Sequence, residues 1–361
     1  MTGSQGKAGE TLIVNVGSSS LKFRVYRGKK ILEDKEIEVE GSEKKRFEDA
    51  LRELYHSVKK YDIKKTGYRI VCGGQFHSPA LVTDRLMRDI RAREDLNPLH
   101  TENAIKTAEF LRKNISGKHV FCFDSFFHRT MPEKAKGYAI PRRISERYGI
   151  KRYGFHGIAH ESLVKDAERL TGKRYKNVVS CQLGGGVSLC AIKDGKSVDT
   201  TMGFTPLSGL MMETRSGDLD PSIMFYLKKK GFKDKEIEEI LEKRSGLKGV
   251  SGLNNMKEII KKKRDPEAKL AFDMLVYQVK KTIGAYVAAM GKADLIVLGG
   301  GMARAPEVRE GVLEGLEGLG IKINKDKIGK KSPIKISSGP VDVIAIETDE
   351  QKHILELVEK I

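Results

Sequence analysis

The sequence contains no tryptophan and only four cysteines among its 361 residues. Cys72, Cys122, Cys181 and Cys190 each lie in an apolar, strand-like run, and none of them has the C-x-x-C spacing of a zinc or redox site. This distribution excludes a cysteine-based metal or redox centre and predicts four reduced thiols in the core.

Long apolar runs are also missing. No segment reaches the ~18 consecutive apolar residues of a membrane helix, and the polar start, MTGSQGKAGE, lacks the apolar region of a signal peptide. We expect a cytoplasmic protein with no membrane partner and with a flexible tail over residues 1–10. No linker rich in proline, serine or glycine divides the rest, although 361 residues suffice for two domains of ordinary size.

Positive charge, by contrast, is abundant, with a formal net charge of +18. It suggests nucleic-acid binding, attraction of anionic substrates or a lysine-rich solvated surface. The basic residues are mixed with acidic ones in helical patterns, as in LKKKGFKDKEIEEILEKRSG, and do not gather with aromatic residues in one stripe. This mixing favours solvated helix faces, and we do not expect a nucleic-acid partner.

Strand-like and helical segments alternate along the chain, which indicates an α/β protein. Each half begins with a β-hairpin whose first turn is rich in glycine: VNVGSSSLKFRVYRGKK in the first and CQLGGGVSLCAIKDGKS in the second. Backbone N–H groups at such turns, with hydroxyls and a lysine nearby, can hold phosphate oxygens, although the first turn taken alone also fits an ordinary serine-rich turn. The pattern predicts two copies of one phosphate-binding fold. Its candidate phosphate ligands are Ser18, Lys22, Gly184, Gly185 and Gly186.

Seven segments closely resemble the acetate kinase family. In order they are NVGSSSLKF, NPLHTENA, FDSFFHRTMP, YAIPRR, RYGFHGIAHESL, GKSVDTTMGFTPLSGLMMETRSGDLDP and TDEQ. The resemblance implies the fold of the actin, sugar kinase and Hsp70 superfamily: α/β, a duplicated two-domain actin-like ATPase (ribonuclease H-like) fold with an interdomain cleft. It also implies reversible, direct in-line phosphoryl transfer from ATP to acetate or another short-chain carboxylate, giving acetyl phosphate and ADP.

The resemblance implies a domain division as well. Residues 11–129 with 351–361 would form an N-terminal acyl-binding domain, and residues 130–350 a C-terminal nucleotide-binding and dimerisation domain. A homodimer would form through the second domain, and the helical pattern over 266–290 could supply the face.

Transfer to a carboxylate requires anions to be gathered and their charge neutralised, so arginines should dominate the site. The resemblance implies four catalytic residues: Arg69, Asp124, His156 and Arg215. It assigns Asn15 and Glu350 to Mg²⁺, which takes few protein carboxylates besides phosphate oxygens and water. Arg69 alone also fits a structural ion pair, and Glu350 a charge at a helix N-terminus.

Three further histidines accompany these residues. His100 and His160 lie near the site by resemblance, and each fits either a functional or a packed, hydrogen-bonded role, whereas we expect His128 to be structural. By resemblance the acyl pocket consists of four apolar residues, any of which taken singly also fits plain core: Val71, Leu99, Phe155 and Pro206. A small apolar pocket favours acetate, and propionate stays open because one methylene changes binding by only about 1–3 kcal/mol.

Departures from the family cluster on the side of the phosphoryl donor. H-L-G-N-G becomes QLGGG, with Gln182 and Gly185; S-S-D-F-R-D becomes NNMKE; and G-G-I-G-E-N becomes GGGMAR, with Ala303 and Arg304. Backbone N–H groups still predict phosphate binding. The resulting nucleotide-side candidates are Asn255, Met256, Lys257, Gly299, Gly300 and Gly301. ATP is the expected donor, with another nucleotide or pyrophosphate as alternatives. The competing hypothesis for the function is a non-catalytic, nucleotide-binding relative.

Overall fold

A computed structural model of the chain describes residues 9–17, 20–39, 44–73, 76–92 and 98–361. The chain divides into two compact units. The first is Met1–Phe126 with Asp349–Ile361, and the second is Phe127–Thr348. Each has a hydrophobic core of its own. The assignment of acyl binding to one unit and nucleotide binding to the other stays a prediction.

Six strands lie in each unit within the part of the chain that the structure describes. Those of the first unit are β1 Glu10–Val16, β2 Ser20–Arg27, β3 Lys30–Glu38, β4 Ile63–Ile70, β5 Ala80–Leu81 and β6 Lys118–Phe123. Those of the second unit are β7 Asn177–Leu183, β8 Val187–Lys193, β9 Lys196–Thr200, β10 Leu295–Gly299, β11 Ile334–Lys335 and β12 Asp342–Ala345.

Helices connect and cover these strands. The α-helices are α1 Lys44–Val58, α2 Asp84–Arg91, α3 Pro98–Asn114, α4 Glu133–Lys136, α5 Arg142–Tyr148, α6 Gly157–Thr171, α7 Ser222–Lys229, α8 Asp234–Lys243, α9 Gly246–Ser251, α10 Met256–Lys261, α11 Pro266–Met290, α12 Pro306–Leu313, α13 Lys325–Ile328 and α14 Glu350–Val358. Short 3-10 segments lie at Asp124–Thr130, Met302–Arg304 and Glu317–Leu319.

The two sheets repeat one strand order. The first sheet runs β3-β2-β1-β4-β6-β5 and the second runs β11-β12-β10-β7-β8-β9, which is the same order in reverse. In each sheet the opening hairpin is antiparallel, and two strands parallel to its first strand lie on the other side of that strand. They are β4 and β6 in the first sheet, and β10 and β12 in the second. The carboxyl ends of the three parallel strands therefore meet at one edge of each sheet, where α/β proteins place their ligands.

The C-terminal helix α14 packs on the sheet of the first unit because Gly67 of β4 has no side chain. A Cβ at Gly67 would lie 2.6 Å from Val358 and 3.1 Å from Ile354, both on the buried face of α14. The close approach brings the last helix of the chain against its first sheet. As a result the N-terminus of α14, with Glu350, belongs to the first unit.

The structure tests two predictions made from composition, one about the cysteines and one about membrane-spanning helices. All four cysteines are buried thiols, as predicted, and burial raises the pKa of Cys122, Cys181 and Cys190. Among the described residues, no helix combines the length and the apolar character needed to cross a bilayer.

Candidate active site

The first cluster lies at the carboxyl edge of the first sheet. Arg69 is near the end of β4, Asp124 follows β6, and Asn15 is near the end of β1. The Arg69 guanidinium donates to Asp124 Oδ2 from Nη2 at 2.5 Å and from Nε at 3.0 Å, and to Asn15 Oδ1 at 3.3 Å. Burial opposes the arginine's charge, but Asp124 and Glu350 outweigh it and raise the pKa of Arg69. The arginine is therefore fixed in direction and permanently charged.

Glu350 completes this cluster from the N-terminus of α14, where Asp349 is the N-cap. Its Oε2 accepts a hydrogen bond from Asn15 Nδ2 at 3.2 Å, and its Oε1 lies 3.6 Å from Arg69 Nη2. The structure thus brings together both predicted magnesium ligands. With one cation and two carboxylates, the cluster carries a net negative charge, which suits a divalent cation. No group of three metal-ligating side chains occurs in the described ranges.

The second cluster lies in the second unit around the turn between β7 and β8. His156 is the residue before α6 and has a left-handed backbone conformation, with φ 58°. A Cβ on Gly186 would lie 3.0 Å from His156 Cε1 and 3.3 Å from Arg215 Nη2. The structure therefore places the predicted histidine and arginine side by side against the predicted phosphate loop.

Arg215 differs from Arg69 in its counter-ions. Its Nη1 donates to the Pro206 carbonyl at 2.9 Å, and no carboxylate of the described residues forms an ion pair with it. Burial lowers the pKa of Arg215, with Glu242 acting in the opposite direction. A half-buried guanidinium without a carboxylate at contact distance is suited to an anionic ligand.

The two glycine-rich loops of the second unit meet. Gly300 has φ +88°, and a Cβ there would lie 2.4 Å from the Leu183 carbonyl and 2.8 Å from the Gly184 nitrogen. The Gly300 N–H donates to Thr348 Oγ1 at 3.0 Å, and this hydroxyl donates to Gln182 at 2.7 Å. Gly299 ends β10, and Gly301 precedes the 3-10 segment at Met302–Arg304. The altered residue Gln182 thus ties the two loops together.

The remaining nucleotide-side candidates have other partners. Asn255 caps α10, where its Oδ1 accepts from the Glu258 N–H at 3.0 Å; Met256 is buried, and Lys257 is exposed. Lys22 lies opposite Asn15 in the β1–β2 pair and forms an exposed ion pair with Glu36 at 3.2 Å. Ser18 is outside the described residues. Base and phosphate recognition by these residues stays a prediction.

The four predicted acyl-pocket residues come from both units, and their convergence stays a prediction. Val71 is half-buried in the first unit, and the side chain of Leu99 is outside the described part of the chain, as is that of His100. In the second unit Phe155 is buried and Pro206 half-buried. His128 contacts the backbone of Phe155, with its Nε2 2.9 Å from the Phe155 carbonyl oxygen. Burial lowers the pKa of His128 to about 4.

A profile of the acetokinase family matches residues 27–356. The chain belongs to the acetokinase family. An acetate kinase of Helicobacter acinonychis (strain Sheeba) is 39% identical over 390 aligned residues, covering 96% of this chain and 97% of that relative. The crystal structure of Porphyromonas gingivalis acetate kinase matches with a TM-score of 0.88 at 31% identity, covering 98% and 99% of the two chains. That of a propionate kinase from Francisella tularensis subsp. tularensis SCHU S4 matches with a TM-score of 0.87 at 31% identity, covering 98% and 100%.

Membership of the acetokinase family confirms the resemblance found in the sequence. The predicted duplicated α/β fold is confirmed as well, by the repeated strand order and by these crystal structures. The roles of individual residues stay predictions.

Three residues of the second cluster were missed by the sequence reasoning: Glu213, Ser188 and Thr348. The Glu213 carboxylate lies beside the phosphate loop, 2.8 Å from where a Cβ of Gly185 would be, and burial raises its pKa. Ser188 contacts His156, with Nδ1 and Oγ 2.8 Å apart. A signal for Ser188 existed: Ser180, Gln182 and Ser188 are polar residues at alternate positions of otherwise apolar strands.

Proposed function

We propose that this acetokinase-family protein is an acetate kinase, which transfers a phosphoryl group reversibly between ATP and acetate. The observation that carries the proposal is Arg215, which lies beside His156 and the Gly184–Gly186 turn with no carboxylate in contact among the described residues. Backbone N–H groups, a histidine and a guanidinium at one turn form a site for phosphate oxygens. The anion that Arg215 lacks at contact distance would be the transferring phosphoryl group.

The reaction needs no general base. A carboxylate oxygen of acetate attacks the γ-phosphorus, a new P–O bond forms, and the bond to the bridging oxygen of ADP breaks. Because acetate is already an anion, the protein has to align the two groups and balance charge on the equatorial oxygens. We assign Arg69 to the carboxylate and the phosphoryl group, and Arg215 and His156 to the phosphoryl oxygens.

The cluster of the first unit complements this assignment. Asp124 is buried under Arg69 and touches it at 2.5 Å, so we assign it the orientation of that arginine. Glu350 and Asn15 would hold Mg²⁺, directly or through water. When bound, the ion would neutralise charge on the donor phosphates.

A hydroxamate assay for acetyl phosphate tests the function and its specificity together. Purified protein with Mg²⁺ is given ATP, GTP or pyrophosphate as donor, and acetate, propionate or butyrate as acceptor. We expect product with acetate and ATP. Product with pyrophosphate alone would replace the donor in the proposal, and no product with any combination would leave a nucleotide-binding protein without catalysis.

Arginine variants test whether the two arginines of the candidate site contribute to catalysis more than an exposed arginine does. Arg69→Ala and Arg215→Ala should each lower kcat by orders of magnitude, because both remove charge from the transferring group. Arg85→Ala is the matched control, since the Arg85 side chain is 87% exposed on α2. Near-wild-type turnover in either site variant would contradict the assignment.

We further infer a homodimer formed through the second unit. Three large apolar side chains lie exposed on one stripe of α11, at intervals of four and three residues: Leu270, Met274 and Tyr277. Light scattering should give twice the chain mass, and Tyr277→Glu should shift it toward the monomer. A monomeric wild-type protein would refute the dimer. Because ATP is supplied in the cytoplasm and the thiols are reduced, we also infer a cytoplasmic location.

A further inference from the structure

Behind His156 a line of hydrogen-bonding side chains runs into the core of the second unit. His156 Nδ1 lies 2.8 Å from Ser188 Oγ, which lies 2.9 Å from His160 Nε2; His160 Nδ1 lies 2.9 Å from Ser180 Oγ. Ser180, Ser188 and His160 are all 0% exposed. This chain of four residues, the Ser180–His156 chain, uses buried groups that the phosphoryl-transfer reaction does not require.

The fold builds the Ser180–His156 chain from three elements. Ser180 of β7 and Ser188 of β8 lie on the same face of the sheet, because Ser180 pairs with Cys190 and Gln182 with Ser188 in the antiparallel register. His160 is one turn along α6 from His156, and its side chain is on the same side of the helix. The packing of α6 on β7 therefore places His160 between the two serines.

The number of hydrogens limits how this chain can be arranged. Burial, with smaller contributions from His128 and His156, holds the pKa of His160 well below its usual range, so the ring is neutral and carries one N–H. Each serine has one O–H hydrogen. Three arrangements then satisfy the three contacts: one with every donor directed toward His156, one with every donor directed toward Ser180, and one in which Ser188 Oγ accepts from both histidines. The last leaves the hydroxyl hydrogen of the fully buried Ser188 without an acceptor among the described residues, which carries a full desolvation cost.

Burial of Ser180 decides between the two remaining arrangements, those with all donors directed one way. If the donors ran inward, the hydroxyl hydrogen of Ser180 would need another acceptor, and the structure gives Ser180 Oγ no partner besides His160 among the described residues. An unsatisfied hydroxyl at a fully buried position carries a full desolvation cost. If the donors run outward, Ser180 donates to His160, His160 Nε2–H to Ser188, and Ser188 to His156 Nδ1, so every hydrogen has an acceptor.

We propose that Ser180, His160 and Ser188 are positioning residues that hold His156 in the tautomer with its proton on Nε2. The opposite ring edge of His156, at Gly186 and Arg215, then presents an N–H donor to a phosphoryl oxygen. The same hydrogen bond anchors a ring whose backbone lies in the left-handed region, which few residues other than glycine adopt. The use of this donor in phosphoryl transfer depends on the proposed function, whereas the tautomer itself does not.

Nitrogen NMR of the ligand-free wild-type protein tests the tautomer directly. Protein labelled with ¹⁵N-histidine is compared with His156→Gln to assign the His156 signals, and long-range ¹H–¹⁵N correlations identify which nitrogen bears the proton. We expect a neutral ring with Nε2 protonated and Nδ1 accepting a hydrogen bond. A ring protonated on Nδ1 alone, or an equal mixture of tautomers, would overturn the proposal.

Ser188→Ala tests the consequence for catalysis. We expect kcat to fall about tenfold, the loss of one buried hydrogen bond, with KM for acetate changed less than twofold, and the His156 ring to lose its single tautomer. Ser188→Thr keeps the hydroxyl and should retain the tautomer. The matched control is Ser197→Ala, because Ser197 is also fully buried and contacts a histidine, His128, at 2.8 Å. Equal losses of kcat in both alanine variants, with an unchanged tautomer in Ser188→Ala, would overturn the role of Ser188.

The two proposals fail in different ways. If the wild-type protein makes no acetyl phosphate but His156 shows the single Nε2–H tautomer, the proposed function is wrong and the arrangement of the chain stands. If the protein is active and His156 lacks that tautomer, the function stands and the positioning role is wrong.

Discussion

Asp124→Asn tests how the cluster around Arg69 is held. The substitution keeps the shape of the side chain and removes the charge that Arg69 contacts at 2.5 Å. Asp124 is 0% exposed, and breaking a buried ion pair from one side costs about 3–5 kcal/mol because a charge is left behind. Arg69 is 16% exposed and Glu350 remains 3.6 Å away, so we lower the expected local loss to about 2–3 kcal/mol.

Amide hydrogen exchange measures the loss of local stability in the strands that carry Arg69 and Asp124. A two-unit chain does not unfold in one step, so the local opening of β4 and β6 is the suitable quantity. A loss of 2–3 kcal/mol corresponds to about 30- to 150-fold less protection of these amides. Because Arg69 also loses its orientation, we expect kcat to fall at least tenfold as well.

An exposed ion pair of similar length provides the control. Lys35 and Glu53 are 2.6 Å apart, with 40% and 51% of their side chains exposed. Pairs of this kind contribute little, so Glu53→Gln should change protection of its neighbours by less than about fivefold. Equal changes in the two variants would refute the reasoning that burial makes the Arg69–Asp124 contact strong.

Three further outcomes follow from the second unit. Arg215→Lys keeps the charge but not the planar fork, and we expect kcat to fall about 10²-fold with a smaller change in donor KM, measured by steady-state kinetics. Burial raises the pKa of Glu213, so the carboxyl beside Gly185 gains its negative charge as the pH rises through this raised pKa. The KM for the donor should therefore increase with pH in the wild type and should not change with pH in Glu213→Gln. Buried Arg309 donates to Ala303, Ile328, Lys330 and Ser332, and Arg309→Met should lower Tm by about 5–10 °C in calorimetry; an unchanged Tm would contradict a structural role.

The two β-hairpins and the short motifs of the candidate site could be predicted because their signals are local. The glycine-rich turn after β7 and the apolar strand β8 lie next to each other in sequence, so a β-hairpin follows from neighbouring residues alone. Arg69 and Arg215 were assigned by the resemblance of two short motifs to those of the family. These features need no knowledge of which distant segments meet.

The motifs around Arg69 and Arg215 do not show which carboxylates contact each arginine. Asp124 and Glu350 give Arg69 two carboxylates, while Arg215 donates to a carbonyl and forms no ion pair with a carboxylate of the described residues. The difference arises from parallel strands that bring distant loops to one edge of each sheet. Packing makes the cluster of the first unit anionic and leaves Arg215 in the second with no carboxylate in contact among the described residues.

By itself, the sequence determined the duplicated α/β fold and the family, and it proposed the residues of the candidate site, since these depend on periodicity and on contiguous motifs. Tertiary structure alone decided that Asn15 bonds to Glu350, 335 positions away, and that His160 lies between Ser180 and Ser188. These contacts depend on helices α14 and α6 packing on their sheets. The physical reason is that hydrogen-bond partners are chosen by burial and distance in space, which the local pattern of a chain does not contain.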